Sequence, residues 1–492
     1  MKKTLPSLIV TLALAGNACA APNNEALTRR HFAALTDGAQ PKLAELTLFL
    51  SMMPKGGDLH HHYSGSIYAE QYLAWVDKQR YCIDKISYKI ETRPEVIDAE
   101  RAKAIKDRVC LSAADLIAND GVYRELLQRW STKDYANHGA IQPPPDTLFF
   151  DTFDYFNPVS KDNINEGLQS LKQRAILENL GYIETTLLRA PSRVNPAFDQ
   201  QIQQSQPTSD NAALTFQLAA LTDALEQDAG FRQDVGKYVA KVEAASAGVD
   251  DAQFTMRYQA FVTRLKAPSE VFSSMLSGFK AASQSPLIVG VNIVGAENQD
   301  VAMRDYALHM QMFKFLKTRY PDVKLSLHAG ELALGMVPPE GLTFHIRDAV
   351  NVAGAGRIGH GIDLAHEPDA PAIMKTMRER GIAVEVNLTS NEFIAGVAHA
   401  AHPVTLYRKY RVPFVISTDD AGVSRNNLSN EYVLFASRYR TDYPELKKLS
   451  YDSLRYAFLA DADKKRLIRQ LDTRFAKFEA AIAELERGRK RR

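Results

Sequence analysis

His60-His61-His62 places two imidazoles at i and i+2, and on a β-strand that spacing sends both to one face and His61 to the other. Two neutral imidazoles on one rigid strand make half of a common zinc ligand set, although a histidine cluster in a surface loop would be spelled the same way. Residues of matching chemistry follow. Ser326-Leu327-His328-Ala329-Gly330-Glu331 puts a carboxylate three residues after a histidine, across a turn that Gly330 can take sharply enough to swing Glu331 back. Gly359-His360-Gly361 offers another imidazole, either a fourth histidine ligand or a base outside the ligand set. Ser417-Thr418-Asp419-Asp420 ends on adjacent carboxylates whose side chains diverge, so one can bind metal while the other meets a substrate. His60, His62, His328 and Asp419 supply three nitrogens and one oxygen, suited to Zn²⁺ with an open position for water. His360 is then free to orient or deprotonate that water, and Glu331 to shuttle a proton. The run Leu287–Val294 offers no bridging lysine or carboxylate, which predicts one zinc ion per chain.

These residues need a scaffold that brings distant segments to one place. From about residue 285, short apolar runs alternate with helical stretches: Leu287–Val294, Val323–His328, Arg357–His360, Ile382–Leu388 and Val412–Ser417 read as strands. Between them lie helices over Val301–Arg319, Phe344–Val352 and Pro371–Arg380. Upstream, Gly57–His62, Gly181–Leu188 and Phe254–Val262 complete a set of eight. Strands that are largely apolar and alternate with helices predict a parallel sheet covered by helices. Eight such units predict an α/β protein, a (β/α)8 TIM barrel with its site at the C-terminal ends of the strands. His62, Gly295, His328, His360 and Asp419 all fall at or just past strand ends, where unrelated core histidines and capping aspartates would not gather. The segment from about 81 to 145 fits no β/α unit and reads as an insertion after the first strand. Ser209–Asp250 reads as a helical elaboration, and extra helices follow residue 428, with Tyr432–Tyr439 and Lys464–Arg487 amphipathic. One barrel domain over 21–492 accommodates all of it.

The first twenty residues carry Lys2 and Lys3, an apolar run from Leu5 to Ala15, and Ala18-Cys19-Ala20, the pattern of a cleaved secretory signal peptide. The run is too short for a stable membrane anchor, so the expectation is a periplasmic or secreted protein. Cys82 and Cys110 then remain as a pair, and an oxidising compartment favours a disulfide between them. Loss of Lys2 and Lys3 leaves 58 basic and 58 acidic side chains, a neutral balance that argues against a general nucleic-acid binder. The basic run Arg487–Arg492 reads as a solvated end.

Taken in order, Pro54-Lys55, Asp58–His62 with Gly65-Ser66, Ser326–Glu331, Arg357-Ile358-Gly359-His360-Gly361 and Ser417–Asp420 closely resemble the adenosine deaminase family of the amidohydrolase superfamily. The resemblance runs from about Met53 to Glu431, the two elaborations apart. It implies zinc on His60, His62, His328 and Asp419, with Glu331 protonating purine N1 as water adds at C6. It also implies that His360 orients and deprotonates the water, that Asp420 bonds N7, and that the Gly295 N–H meets N3. Many members carry an aspartate for a ribose hydroxyl near Tyr63-Ser64; Ser64 is here the sugar-side candidate. The substrate is therefore open among adenosine, deoxyadenosine, adenine and an N6-substituted adenine nucleotide. Asn387–Asn391 and Asp420–Val423 resemble the branch acting on N6-methyl-AMP. The secretory start and the cysteine-bearing insertion instead resemble the secreted, growth-factor-related adenosine deaminases, a branch that often forms homodimers. The compartment favours a small-molecule purine nucleoside, hence adenosine to inosine and ammonia in nucleoside salvage or scavenging. A catalytically silent secreted nucleoside-binding protein is the reading from another class, and the intact set of reactive residues opposes it.

Overall fold

The computed structural model describes residues 23–136, 142–205 and 212–489; the expected signal at 1–20 and the last basic residues, 490–492, lie outside them. All eight runs read as strands are strands: β1 (Lys55–His62), β2 (Leu180–Arg189), β3 (Thr255–Thr263), β4 (Ile288–Val294), β5 (Ser326–Ala329), β6 (Arg357–His360), β7 (Ala383–Val386) and β8 (Phe414–Ile416). Neighbours pair in parallel from β1 to β4 and from β5 to β8. Parallel bridges from Val291 to Leu325 and from His61 to Asp419 join the two halves and set the first strand against the end of the last. The sheet closes on itself as a (β/α)8 barrel. Strands β5 to β8 are buried along their whole length, as helices on the outer face require. Among the polar side chains buried within the strands are Glu184, Gln259, Asn292, Arg357 and Glu385.

Lys55 starts β1 from a buried position. Its ammonium donates to the carbonyls of Leu50, Met53 and Glu178 at 2.7, 3.1 and 2.9 Å, using all three of its protons. The helix Asp461–Arg489 passes close by, where Arg474 donates to the carbonyls of Asn179 and Lys55. The helix Asn24–Thr36 lies against it, with His31 Nδ1 2.8 Å from Glu486. Sequence patterning gave no account of the helix Asn24–Thr36. No helix among the described residues is long and apolar enough to cross a membrane.

The insertion after β1 is a small antiparallel sheet of Ile90–Glu91, Cys82–Asp84 and Cys110–Leu111, with helices around it. Cys82 and Cys110 are bonded, their Cα atoms 5.4 Å apart. Trp130 donates to the Tyr88 carbonyl, and the Thr132 N–H to that of Val423, tying the insertion to the loop beyond β8. Pro145 then opens the helix Pro145–Ser160 at a position where a missing N–H costs nothing. The second elaboration is a pair of helices, Ala212–Gln227 and Ala229–Ala245, broken at Asp228, whose carboxylate caps the Gly230 N–H at 2.7 Å; the start of its expected range, 209–211, lies outside the described residues.

The disulfide closes a loop with a sequence separation of 28. Alkylation without reductant should leave the mass of the protein lacking residues 1–20 unchanged, and Cys82→Ser should cost about 3 kcal/mol of stability by chain-entropy reasoning. A label on Cys82 or Cys110 in unreduced protein would show the pairing to be wrong.

Candidate active site

The functional side chains stand where strands end and the backbone turns abruptly. His360 and Asp419 have φ of 66° and 61°, the left-handed region that side chains other than glycine rarely enter. Such strain costs on the order of 1 kcal/mol or more per residue and persists only where the surroundings hold it. Gly330 makes the corresponding turn at φ 71°, and a Cβ there would lie 2.1 Å from Asp363 Oδ1, so Gly330 is needed for space as well as for conformation. The turn delivers Glu331 to the barrel mouth as its sequence spacing predicts. Asp419 is fixed by the barrel closure itself: its N–H donates to the His60 carbonyl at 2.8 Å, and its carbonyl accepts from His62 at 3.3 Å.

His60 and His62 share one side of β1. His61 points the other way, its Nδ1 2.9 Å from Thr185 Oγ1. His62 Nε2 lies 3.1 Å from His328 Nε2 and 3.4 Å from His60 Nε2. Asp419 Oδ1 lies 3.3 Å from His62 Nε2 and 3.4 Å from His60 Nε2. Each ring's orientation has a cause. His60 Nδ1 donates to Glu385 Oε2 at 2.7 Å and His328 Nδ1 to Asn292 Oδ1 at 2.9 Å, which leaves both Nε2 lone pairs facing the same point. Converging lone pairs and a carboxylate, largely buried, repel one another unless a cation lies among them. Burial lowers His62 to about 4 and His328 well below the usual range, as neutral ligands require. At His60 burial also disfavours charge, but Asp419 and Glu385 outweigh it and raise the imidazole to about 10, a demand for positive charge that a metal ion meets equally well. The donor set fits a metal ion. Among the described residues, the groups able to hold one are His60, His328, His360 and Asp419, and His62, Asp419 and Asp420, which share Asp419.

Around this cluster the remaining reactive groups close in. His360 Nε2 is buried without a hydrogen-bond partner, 3.6 Å from Glu331 Oε1 and 3.9 Å from Asp419 Oδ2. Burial, reinforced by the charges of Asp419 and Glu297, pushes the Glu331 carboxyl well above the ordinary range. The Glu331 and Gly330 N–H groups both donate to Glu297, at 2.8 and 3.3 Å, and Glu297 is paired with Arg264 at 3.2 Å and His345 at 2.5 Å. Burial and the adjacent Asp419 charge also raise Asp420, whose Oδ1 has no partner. Ser390 Oγ donates to Asp419 Oδ2 at 2.6 Å.

A cavity of about 450 Å³ opens above these groups. His62, Ser64, Gly295, His328, Glu331, His360, Asp419 and Asp420 line it, so eight of the nine expected site residues reach one space; His60 lies just beneath, behind His62 and His328. Tyr63 does not reach it: its hydroxyl is 3.4 Å from the Asn163 carbonyl and its ring packs beside Gly167. Sequence reasoning missed the cavity's far wall, the helix Pro145–Ser160, which contributes Phe149, Phe150 and Phe153 together with Asp151, Asp154 and Asn157. The dense aromatic and acidic run Leu148–Asp154 was the available signal, but nothing in its letters says what it faces.

The family model for adenosine deaminase matches residues 227–474. The chain belongs to the adenosine deaminase family. Similar curated members include the adenosine deaminases of Clostridium perfringens, 27% identical over 181 residues (37% of this chain and 49% of that protein), and of Enterococcus faecalis, 34% identical over 153 residues (31% and 42%). The matched stretch thus spans about half the length of these relatives or less. The fold is similar to that of an Arabidopsis N6-mAMP deaminase, TM-score 0.54 at 17% identity, covering 87% of this chain and 99% of that one. It is also similar to a zinc-bound amidohydrolase from Burkholderia ambifaria, TM-score 0.51 at 16% identity, covering 89% and 94%. An adenine deaminase from Arthrobacter aurescens gives TM-score 0.52 at 14% identity, covering 85% and 98%.

Glu385 lies off the cavity and bonds His60, Ser326 and Arg357, so its substitution perturbs the metal centre from behind without touching the substrate space. Glu385→Gln should weaken Zn²⁺ binding about 10- to 100-fold, as loss of an orienting carboxylate does, in a competition titration against a chromophoric chelator. Undiminished affinity would remove Glu385 from the centre.

Proposed function

We propose that this protein is a zinc-dependent adenosine deaminase that hydrolyses adenosine, and deoxyadenosine, to inosine and ammonia. The observation that carries the reading is the placement of Glu331, His360 and Asp420 around the histidine–aspartate cluster at the floor of a cavity with aromatic walls. His60, His62, His328 and Asp419 would hold the zinc, which lowers the pKa of a bound water toward neutrality. Phe149, Phe150, Phe153 and Phe261 offer apolar faces to a purine ring. Glu331, kept protonated by burial, donates its proton to N1 as the water oxygen bonds to C6, so that charge does not build up on the ring. Asp420, raised in the same way, can donate to N7. The Gly295 N–H, on a backbone at φ 105° beside the cavity, can donate to N3. His360 holds the attacking water by a hydrogen bond. The C6–N bond then breaks as the proton of the new C6 hydroxyl passes to the departing amine, giving ammonia and inosine.

Among solved structures of similar fold are enzymes named for N6-mAMP and for adenine, and a plant protein complexed with IMP, so fold alone does not select a substrate. The charge of the mouth favours a nucleoside. Asp151, Asp154 and Asn157 line the outer wall beside Ser64, and no lysine or arginine is among the described lining residues. A 5′-phosphate would meet two carboxylates and no cation, whereas ribose hydroxyls can donate to those carboxylates. Free adenine would leave this polar rim unused. The secretory reading of residues 1–20 and the bonded Cys82–Cys110 pair support a periplasmic or secreted location, in scavenging of nucleosides.

Steady-state rates on adenosine, deoxyadenosine, adenine, AMP and N6-methyl-AMP test this directly: turnover of the last three but not the nucleosides would refute the assignment. Glu331→Gln should keep its zinc and lose about 10²- to 10⁴-fold in kcat; unchanged turnover would deny its role as acid. Replacing Asp151 and Asp154 together by Asn should shift the kcat/KM ratio of AMP to adenosine upward by about 10-fold, from the removal of two like charges near the phosphate. An unmoved ratio would exclude the charge filter.

A further inference from the structure

Behind His360, away from the cavity, lies a line of buried polar groups that the reaction above does not use. Asn391, on the helix Leu388–Ala395, and His402, just ahead of the helix Val404–Tyr410, are both fully buried. The Val404 N–H reaches His402 Nδ1 at 3.1 Å, His402 Nε2 lies 3.0 Å from Asn391 Oδ1, and Asn391 Nδ2 lies 2.8 Å from His360 Nδ1. A second amide, Asn387 Nδ2, stands 3.4 Å from the same His360 nitrogen.

The direction of every bond in this line follows from its far end. A backbone N–H can only donate, so His402 Nδ1 accepts. Burial lowers His402 to about 3, so the ring is neutral and carries its one proton on Nε2. That proton goes to Asn391 Oδ1, which turns the Asn391 amino group toward His360. His360 Nδ1 therefore accepts as well, and a neutral His360 must carry its proton on Nε2, the buried and otherwise unpartnered nitrogen that faces Glu331 and Asp419. The usual ambiguity of amide and imidazole orientation is removed here by one main-chain donor.

We infer that Asn391 and His402 are positioning residues that hold His360 in its Nε2–H tautomer, so that His360 serves as a hydrogen-bond donor to the attacking oxygen. This departs from the expectation that His360 deprotonates the water. A neutral ring whose cavity-facing nitrogen already bears hydrogen has no lone pair to offer there. The water's proton instead leaves to solvent through the open mouth before the C6–O bond forms, and the Nε2–H stabilises the negative charge on the oxygen that remains. The tautomer assignment stands on the hydrogen-bond line alone; only the kinetic consequence rests on the deaminase reading.

The test uses the full zinc-loaded chain with ¹⁵N-labelled histidine. Long-range proton–nitrogen spectra should show a pyridine-type Nδ1 and a pyrrole-type Nε2 for both His402 and His360, with resonances assigned by single substitution. Asn391→Asp replaces the amide donor by an acceptor, so His360 should shift to its Nδ1–H form while kcat on adenosine drops by about 100-fold or more and KM and zinc content stay unchanged. His402→Phe should lower kcat, and His402→Gln, whose amide can still accept from Val404 and donate to Asn391, should restore most of it. An Nδ1–H tautomer of His360 in the unaltered protein would overturn the inference. So would an Asn391→Asp enzyme as fast as the parent, or equal losses in the two His402 variants. If Asn391→Asp fails to fold, the spectra of the parent and the Phe–Gln comparison decide. Absence of adenosine turnover in a parent with the expected tautomers would count against the deaminase assignment and leave the tautomer assignment intact.

Discussion

One buried guanidinium orients the site from below. Arg357, at the start of β6, is sealed from solvent between Glu184 and Glu385, with its charged end 3.6 Å above the Phe458 ring. A cation so placed is tolerable only with opposite charge packed against it. Burial would raise Glu385, but Arg357 and His60 pull it down to about 2. Glu385 in turn takes the Nδ1 proton of His60. On the other side, Glu184 accepts from Gln259, Gln259 from Asn292, and Asn292 from His328. Two imidazoles on separate halves of the barrel therefore owe their orientation to the same charge. This polar layer occupies the space that apolar side chains fill in the rest of the core, and it makes the floor of the cavity stiff.

Above that floor the barrel uses its strand ends differently. Where β6 and β8 finish, His360 and Asp419 are bent into a backbone region that only strong surroundings maintain. Asp419 is held by main-chain bonds to β1 and by Ser390, and His360 by the line that runs to Val404. Rigid elements beneath and a tight hydrogen-bond net behind produce side chains whose direction is set before any ligand arrives. The mouth is lined on its far wall by a helix from outside the β/α repeat, so the part that reads the substrate can vary without disturbing the part that performs the chemistry.

The fold and the reactive groups were legible because both obey short-range rules. Strands β2 to β8 announce themselves as largely apolar runs at β/α spacing and β1 by its spaced histidines, and His62, Gly295, His328, His360 and Asp419 sit at their ends, where a barrel places its chemistry. What could not be read was pairing across space. Glu385 and Asn292 are single polar letters inside apolar strands, and such a letter marks a buried partner without naming it. Asn391 and His402 meet through a loop whose path no local pattern fixes. Phe149 to Asn157 follow the expected insertion and carried no reading, because a helix declares which of its faces is apolar but not what that face covers. The helix Asn24–Thr36 was missed for a related reason: its anchor, the helix Asp461–Arg489, is at the other end of the chain.

The closing seam has a consequence for the order in which the molecule is completed. His60 and His62 belong to the first strand, His328 to the fifth, and Asp419 follows the eighth, bridged to His61 across the junction that shuts the barrel. The four donor groups thus form a clasp between the earliest and the latest parts of the sheet to be synthesised. Until the final strand docks, the histidines lack their carboxylate and Asp419 lacks the His60 carbonyl that receives its N–H. Full ion capture must then wait for closure, and a captured ion becomes a rivet across the one join where the sheet's two ends meet.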